Sequence, residues 1–515
     1  SNFAKLSLKA DRDINVQASN SADSIRIQNL QTGSSDGGSV FSFEAKRDIN
    51  INGIIDNFGG GDGNISLRST DGGDIKINAR IDANKGGFII DGTDVVLKNA
   101  TTSLLAGGAD VTNNSVQISA DNELKFDGGR LELFGDTDVL INAQKFNNLT
   151  GSNVFAVNAS SADSVQWSVG LPKLYDENNN IIHTFGGLKS NNYAAYGSAI
   201  TTDANGNISI KLYDTDVDIN PTNNQYHFAN RPSIDITAND DSKIYGNVAD
   251  SAFSGISINS GNLINAEDFA GVFTQDTVNS SINQNLLELT SSGAAADQNV
   301  GSYDIEPSKL SSPNSYTFNY INGTLTVNRR AITLTASGQE KSYGDALTLK
   351  NTAFTTLDKD GDSVLPNGEL VDTVTLVSAN GVDASTDSDA GTYADNISIT
   401  PTATGAATLT GSNGFDQENY NISYATGDLT INRRAITLTA SGQEKIYGDE
   451  LTLDDTAFTT LDKDGDSVLP NEEVITNVSI QSATDKDTST TADVATYENE
   501  IEILSPVAGT PGSGD

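Results

Sequence analysis

Alternating apolar and polar residues dominate residues 1–150 of the chain. Short runs place apolar side chains at i and i+2, which is the period of a β-strand that buries one face. Glycine, aspartate and asparagine separate the runs, as expected for turns. The runs are Leu6–Leu8, Ile14–Val16, Ile25–Ile27, Phe41–Phe43, Ile49–Ile51, Ile65–Leu67, Ile75–Ile77, Val95–Leu97, Val116–Ile118 and Val139–Ile141.

The spacing of these runs predicts stacked coils. The last four begin at residues 75, 95, 116 and 139, so their starts lie 20, 21 and 23 residues apart. Related phrases also recur, with RDINV at Arg12, RDINI at Arg47 and DIKIN at Asp74. Short strands at this interval favour a right-handed parallel β-helix, and an antiparallel sandwich of hairpins is the alternative.

A long segment recurs almost unchanged further along the chain. RRAITLTASGQEKSYGDALTLK at Arg329–Lys350 returns 104 residues later as RRAITLTASGQEKIYGDELTL at Arg433–Leu453. The same acidic stretch, LDKDGDSVLPN, follows both copies, at Leu357–Asn367 and Leu461–Asn471. A repeat of this length at a fixed period indicates an array of modules rather than one enzyme core.

A third, diverged copy precedes these two. SIDITANDDSKIYGN at Ser233 aligns with AITLTASGQEKSYGD at Ala331, and SYTFNYINGTLTVNRR at Ser315 aligns with NYNISYATGDLTINRR at Asn419. The repeats predict module 1 at residues 233–330, module 2 at 331–434 and module 3 at 435–515, the last one without its closing strand. Asn-Arg-Arg ends one module and the next strand begins at once, which favours stiff joints and a rod-like array.

Residues 151–232 interrupt the alternation. They hold the single tryptophan, Trp167, and both histidines, His183 and His227. Because an open coil end would expose strand edges, we expect a β junction that caps the helix. The predicted fold is therefore all-β. It comprises a right-handed parallel β-helix end at 1–150, the junction at 151–232, and tandem modules of sandwich-like or β-grasp-like fold.

Composition narrows the setting of the chain. The formal net charge is −39, and cysteine and methionine are both absent. Such an acidic surface repels nucleic acid and anionic lipid and attracts divalent cations. Without cysteine, neither disulfides nor thiolate sites are available. Apolar runs stay well below the ~20 residues of a membrane span, and no signal peptide opens the sequence. Without methionine the initiator is missing, which suggests a processed or excised piece of a longer chain.

The acidic stretch resembles a twelve-residue calcium loop. Aspartates fall at its positions 1, 3 and 5, a valine carbonyl at position 7 and a glutamate at position 12. These residues are Asp358, Asp360, Asp362, Val364 and Glu369, and in the second copy Asp462, Asp464, Asp466, Val468 and Glu473. Ca²⁺ takes about six to eight oxygens, which this pattern supplies. The loops therefore predict one structural calcium ion each.

The loop departs from the EF-hand pattern, so a simpler interpretation stays open. Ser363 and Ser467 replace the glycine of position 6, Pro366 and Pro470 occupy position 9, and flanking helices are missing from the pattern. The alternative is an acidic surface turn built on Asp-Gly chemistry. Module 1 lacks the loop, so the module fold does not require it.

Other candidate sites have structural interpretations that we favour. The Arg329-Arg330 and Arg433-Arg434 pairs could bind anions, but at module boundaries among acidic neighbours they are expected to form inter-module salt bridges. Tyr343 and Tyr447, next to glycine, are expected to be packed turn residues rather than sugar platforms. DANGN, beginning at Asp203, predicts a hairpin with an Asn-Gly turn.

Aromatic residues cluster in the junction. Trp167, Tyr175, Phe185, Tyr193 and Tyr196 could form a sugar-stacking patch, although a small junction core is the favoured interpretation. Two histidines cannot support a zinc cluster, and the sequence carries neither a G-x-S-x-G nor a Walker nor a dinucleotide fingerprint. We therefore expect a protein that is not an enzyme.

These motifs resemble a known family. Lys-x-Tyr-Gly-Asp (Lys341–Asp345, Lys445–Asp449), Gly-x-Tyr-x-Ile (Gly301–Ile305) and YINGTLTV (Tyr320–Val327) resemble MBG-type repeats. With the preceding β-helix pattern, the layout is similar to filamentous-haemagglutinin-like exoproteins, the secreted adhesins of Gram-negative two-partner secretion. The family's secretion domain is not recognisable in this sequence.

The resemblance implies an extracellular adhesin or biofilm-matrix scaffold at the bacterial cell surface. Its modules would be calcium-stabilised, and its partners would be cell-surface or matrix polysaccharide or another cell surface. A purely structural spacer or surface-layer element is the first alternative. A β-helix polysaccharide-degrading enzyme is the second, and it would need a catalytic constellation on one face that the sequence does not indicate.

Overall fold

The computed structural model describes residues 5–17, 24–27, 40–57, 64–83, 86–99, 103–106, 115–133, 137–157, 165–191, 193–213, 224–251, 253–269, 271–400 and 409–504. Within these residues β-strands provide nearly all of the regular structure, which confirms the predicted all-β class. Contacts divide the chain into two compact units. Unit 1 comprises residues 1–240, 252–290 and 305–324, and unit 2 comprises residues 241–251, 291–304 and 325–515. The predicted domain boundaries stay predictions.

Unit 1 begins with twenty strands. They are β1 (Lys5–Ala10), β2 (Ile14–Val16), β3 (Ser24–Ile27), β4 (Val40–Ala45), β5 (Ile49–Ile51), β6 (Ile54–Asn57), β7 (Ile65–Ser69), β8 (Ile75–Ile77), β9 (Ile81–Asp82), β10 (Phe88–Lys98), β11 (Ser103–Ala106), β12 (Ser115–Asp127), β13 (Arg130–Leu133), β14 (Asp138–Asn148), β15 (Phe155–Val157), β16 (Gln166–Leu171), β17 (Ala195–Tyr196), β18 (Ala199–Thr202), β19 (Ile208–Lys211) and β20 (Gln225–Phe228). Each of the ten runs of alternating residues lies in one of them.

Strand pairing among β1–β16 is parallel. One sheet contains the path β1-β4-β7-β10-β12-β14-β16, and a second has the order β3-β6-β9-β11-β13-β15. Every ladder among β1–β16 in the described residues is parallel, so a sandwich of hairpins is excluded there. Sequential strands return to the same sheets coil after coil, as the predicted β-helix requires. The helix itself and its right-handed sense stay predictions.

An aliphatic ladder lies on the buried face of the first of these sheets. Ile49 pairs with Ile14 on one side and Ile75 on the other, and Ile75 pairs with Val95. Ile49, Ile75 and Val95 are fully buried. Burial of each such side chain stabilises the fold by roughly 1.5–3 kcal/mol. The echoes RDINV, RDINI and DIKIN therefore mark the same register position in the neighbouring strands β2, β5 and β8.

One of the predicted intervals does not correspond to a coil. Val116 pairs with Phe88, whereas Val95 pairs with Leu124. The cause is the length of β10, which carries two buried segments separated by a register shift between Gly92 and Asp94. The 21-residue interval from Val95 to Val116 thus joins different segments of neighbouring coils.

The junction aromatics form a core. Trp167 is 3% exposed and packs edge-on against Tyr226 with a ring separation of 4.9 Å. Phe185 and Tyr196 are buried as well, while Tyr175 and Tyr193 are half-buried. A sugar-stacking patch on these residues is therefore wrong, because its largest rings are turned inward. The predicted hairpin is confirmed, since β18 and β19 pair in antiparallel fashion around the DANGN turn.

The repeat region contains the remaining strands. They are β21 (Ser233–Ala238), β22 (Asp241–Ile244), β23 (Ile256–Ile258), β24 (Glu288–Thr290), β25 (Gly301–Ser308), β26 (Thr317–Ile321), β27 (Gly323–Asn328), β28 (Arg330–Ala336), β29 (Gln339–Ser342), β30 (Phe354–Asp358), β31 (Leu370–Thr373), β32 (Leu376–Ser378), β33 (Gly391–Ile399), β34 (Thr410–Ser412), β35 (Tyr420–Ala425), β36 (Gly427–Asn432), β37 (Ile436–Ala440), β38 (Phe458–Asp462), β39 (Ile480–Ser482) and β40 (Ile501–Ile503). One α-helix, α1 (Val278–Ser281), and the 3₁₀ turns Ser260–Asn262, Ala266–Phe269, Gln284–Leu286, Pro366–Gly368, Ala379–Gly381, Gln417–Asn419 and Pro470–Glu472 complete the described elements.

The sequence repeat appears as a repeat of strand pairing. The opening strand β21 lies between antiparallel β23 and parallel β26, and β28 lies likewise between β30 and β35. In module 3 the opening strand β37 pairs with β38 alone among the described residues. In modules 1 and 2 the parallel partner is β26 or β35, and these strands contain the repeated sequences FNY and ISY.

The lysine of Lys-x-Tyr-Gly has one role in each module. Lys341 is 7% exposed, and its ammonium donates to the carbonyls of Val382 (2.5 Å), Asp383 (3.1 Å) and Ser385. Lys445 donates to two carbonyls of the corresponding loop in module 3. Each lysine thereby fixes a loop that has little regular structure, and burial lowers the pKa of Lys341.

Candidate functional site at the module joints

Arg330 is the centre of the joint between modules 1 and 2, which lies in unit 2. It begins β28 and is 6% exposed. Its Nε and Nη2 both donate to Oδ2 of Asp358, at 3.0 and 2.5 Å, and Nη2 also donates to Asp360 at 2.8 Å. Its Nη1 donates to the carbonyl of Tyr245 and to Oδ1 of Asn247, in the Tyr-Gly turn of module 1. One guanidinium thus connects the turn of one module with the acidic loop of the next.

The acidic loop is shaped to receive this arginine. Oδ1 of Asp358 accepts the backbone amides of Asp360 (2.8 Å) and Asp362 (3.0 Å), which leaves Oδ2 facing Arg330. Burial alone raises the pKa of Asp358, but the hydrogen bonds from Arg330 and the two amides outweigh it and lower the pKa below its ordinary value. The charge of Asp358 is therefore compensated within the joint.

The joint between modules 2 and 3 repeats these contacts. Arg434 donates to Oδ2 of Asp462 at 2.8 and 2.5 Å and to Asp464 at 2.5 Å. It also donates to the carbonyl of Tyr343 and to Oδ1 of Asp345. Burial raises the pKa of Asp462, yet its hydrogen bonds with Arg434 and two amides lower it to about 2. The predicted inter-module salt bridges are confirmed for Arg330 and Arg434.

The first arginine of a pair takes a different position. Arg329 donates from Nη2 to Glu418 at 2.7 Å and from Nε to the Glu418 carbonyl at 2.8 Å. Both side chains are more than half exposed, so solvent screens the pair. Within each Arg-Arg sequence the two residues therefore differ greatly in environment, and only the second reaches the acidic loop.

Glu369 closes the other side of the first joint. It is 2% exposed, and its carboxylate accepts the hydroxyl of Tyr245 on Oε1 and that of Tyr420 on Oε2 (2.7 Å). The two rings pack edge to face at 5.5 Å. Burial and the hydrogen bond with Glu369 raise the pKa of Tyr245 to about 12 and also raise that of Tyr420. Both phenols therefore remain donors, and Glu369 stays paired in an apolar pocket.

The corresponding glutamate of the second joint is exposed. Glu473 accepts the hydroxyl of Tyr343 at 2.6 Å, and Asn471 donates to the same hydroxyl at 3.3 Å. The position 104 residues after Tyr420 lies beyond residue 515, so the contact of Tyr420 cannot be compared between the two joints. The two joints thus share their arginine and tyrosine contacts but differ in how deeply the glutamate is buried.

A glycine and a proline bring the two modules into close contact. A Cβ on Gly246 would lie 2.4 Å from Cγ of Pro366, and one on Gly344 would lie 2.3 Å from Cγ of Pro470. Both glycines have positive φ, at 89° and 87°. Glycine is required here on two counts, namely the backbone conformation and the space that the proline ring occupies. The contact between glycine and proline therefore explains why Tyr-Gly in one module recurs with Leu-Pro-Asn in the next.

The residues of the predicted calcium loops lie in three environments. Asp358, Asp360, Asp462 and Asp464 face the arginines, and Glu369 and Glu473 face the tyrosine hydroxyls. Asp362, Asp466, Val364 and Val468 are exposed. The aspartates are therefore brought together with a guanidinium, whereas the glutamates are directed to a different part of the joint.

This arrangement does not fit the predicted calcium ion. Among the described residues, no group of three or more His, Cys, Asp or Glu side chains is placed to hold a metal. The carboxylates at positions 1 and 3 already form ion pairs with an arginine. The glutamate at position 12 already accepts a hydrogen bond from a tyrosine hydroxyl. Calcium binding itself stays a prediction, to be tested in solution.

Sequence reasoning did not find the tyrosine pocket or the glycine–proline contact. The available signal was the joint repetition of Tyr-Gly and Leu-Pro-Asn at the same 104-residue offset. Tyr343 is packed as expected, but the same expectation for Tyr447 is wrong, because its side chain is 62% exposed. A following acidic loop covers the turns of modules 1 and 2, and the turn of Tyr447 lacks this cover within the described residues.

Comparison with known proteins identifies one segment. Residues 234–326 match the model of the MBG domain (YGX type), and Tyr245-Gly246-Asn247 lies within the match. The match supports the predicted MBG-type repeats, which are typical of extracellular proteins. A search of curated proteins finds no match to the chain. In the part of the chain that the structure describes, helices are too short or too polar to cross a membrane.

Proposed function

We propose that the chain is part of an extracellular adhesin or biofilm-matrix scaffold that works without catalysis. The observation that carries this proposal is the joint itself. The joint between modules 1 and 2 and the joint between modules 2 and 3 use the same arginine, aspartate and tyrosine contacts. No linker separates the modules at either joint. Joints of this kind limit hinge motion, and a stiff array can hold a binding surface away from a cell.

The MBG match supports a repeat-containing surface protein, and the resemblance to filamentous-haemagglutinin-like exoproteins adds two-partner secretion as the route of export. The partners would be cell-surface or matrix polysaccharide or another cell surface. The net charge of −39 speaks against nucleic acid as a partner. Because the rings around Trp167 are buried, we expect a ligand site on a surface other than the junction aromatics.

A structural spacer is the second candidate, and the same joints favour it, because a spacer also needs stiffness. Binding of the purified chain to a glycan array, with aggregation of beads that carry it, separates the two functions. Specific glycan binding or aggregation supports the adhesin. A chain that neither binds glycans nor aggregates beads, while its joints remain intact by hydrogen exchange, would reduce it to a spacer.

A further inference from the structure

The Tyr-Gly turn of module 3 has the backbone conformation of the other two turns, but no acidic loop covers it among the residues that the structure describes. Asp449 N donates to the carbonyl of Ile446 at 3.1 Å, as Asp345 N does to Ser342 in module 2. Gly448 has a φ of 94°, close to the values in the other two turns. Lys445 still fixes the neighbouring loop. The backbone of the turn is therefore formed in advance of any partner.

The surface of this turn differs sharply from its two counterparts. Ile446 is 75% exposed and Tyr447 is 62% exposed, whereas Tyr245 is 3% exposed. A Cβ on Gly448 would have no atom within 4 Å, although the same atom on Gly246 or Gly344 would clash with a proline. An apolar ring and an open glycine thus lie at the surface where each earlier module receives an acidic loop.

The structure assigns this surface as a docking site for one more acidic loop of the LDKDGDSVLPN type, and we propose that its occupant is a further module placed in line after module 3. This surface corresponds to the surfaces of modules 1 and 2 that receive an acidic loop at the two joints. Proline would contact Gly448, glutamate would accept the Tyr447 hydroxyl, and an arginine at the module boundary would connect Asp449 with the aspartates, as Arg434 does with Asp345.

A second copy of the chain is the weaker occupant. The loops of modules 2 and 3 are already engaged, through Pro366 and Pro470, with Gly246 and Gly344 of the same chain. Module 1 carries no loop of this type. A second copy would therefore have to open one of its own joints to offer a loop, whereas an additional module brings an unused one.

Two extended chains test the proposal. The first follows residues 1–503 with a second copy of residues 400–434, which adds the segment of β34, β35 and β36 but no acidic loop. The second follows residues 1–503 with a second copy of residues 400–515, which adds the same three strands and the next acidic loop. In this chain the added copy carries Tyr447→Phe, so that nitration of the original Tyr447 by tetranitromethane can be read by mass spectrometry.

The proposal predicts at least a fivefold slower nitration of Tyr447 in the longer extension than in the shorter one. Pro470→Ala with Glu473→Ala in the added copy should restore most of the reactivity. Equal nitration in both extensions would overturn the proposal, provided that hydrogen exchange shows β37 protected in both. Sedimentation of the 515-residue chain shows whether it self-associates. Self-association that also slows the nitration of Tyr447 would overturn the proposal, because it would assign the surface to a second copy.

Discussion

Arg330 and Asp358 form a buried ion pair in which two guanidinium nitrogens share a single carboxylate oxygen. The side chains are 8% and 1% exposed. Arg434 and Asp462 form the same pair 104 residues later. Because each arginine also holds the Tyr-Gly turn of the preceding module, the pair connects modules rather than stabilising one of them alone. The aspartates of the acidic loop therefore bind the arginine at the module boundary.

Replacing Arg330 should open the first joint. Arg330→Gln leaves Asp358 buried without a cation, and breaking a buried pair in this way costs about 3–5 kcal/mol. Arg329→Gln is the matched control, because its exposed pair with Glu418 is worth less than about 1 kcal/mol. Hydrogen exchange of β28 and β30 measures the local free energy of opening. Equal losses in the two variants would contradict the joint as described.

The two glutamates should differ in their contribution. Glu369→Ala leaves the hydroxyls of Tyr245 and Tyr420 without an acceptor in a buried pocket, at a cost of about 2–4 kcal/mol. Glu473→Ala removes one hydrogen bond at an exposed site and should cost less than about 1 kcal/mol. Denaturant unfolding of both variants, followed by exchange at β28 and β37, tests the ranking. A larger loss for Glu473→Ala would refute it.

Two of the turn glycines, Gly344 and Gly448, provide an internal comparison. Gly344→Ala must strain the backbone and displace Pro470, whereas Gly448→Ala strains the backbone only. The strain of a positive φ is about 1 kcal/mol, so Gly448→Ala should lose about that much and Gly344→Ala clearly more. Thermal unfolding of the two variants in parallel gives the answer. Identical melting temperatures would mean that the glycine–proline contact carries no weight.

Acid should weaken the second joint in a defined range. The pKa of Asp462 is about 2 in the folded chain, below the ordinary value of about 3.9. A lowered pKa contributes stability that is complete above the ordinary value and is lost as the pH falls through the folded one. The protection factors of β37 and β38, which correct for the slower intrinsic exchange in acid, should therefore fall between about pH 4 and pH 2. In Asp462→Asn this dependence should be largely absent, and an unchanged profile would count against the assignment.

Sequence patterns predicted much of the fold. The alternating runs located ten strands in residues 1–150, and their period of two indicated which side chains are buried, as with Ile49 and Ile51. The 104-residue repeat predicted modules whose opening strands pair alike. The register between neighbouring strands was harder to predict. The long strand β10 contains two buried segments, and alternation alone does not show which segment of β12 pairs with each.

The acidic loop stood out in the sequence as a candidate site, and its assignment to calcium stays a prediction. The aspartates of the acidic loop suggested a cation, and the cation that meets them is the guanidinium of Arg330 or Arg434. Local spacing could not reveal this, since Arg330 lies 28 residues before Asp358 and Tyr245 lies 124 residues before Glu369. Contacts over such separations follow from the packing of whole modules, which a loop pattern does not encode.

A calcium titration of the 515-residue chain shows whether arginine, and not calcium, closes the acidic loops. Thermal unfolding would be followed with EDTA and with calcium up to millimolar concentration, beside Asp358→Asn with Asp462→Asn as the control. Because binding to the folded state alone raises the melting temperature, the account predicts no change beyond that of the control. A rise of several degrees in the wild-type chain, lost in the control, would contradict it and establish the loops as calcium sites.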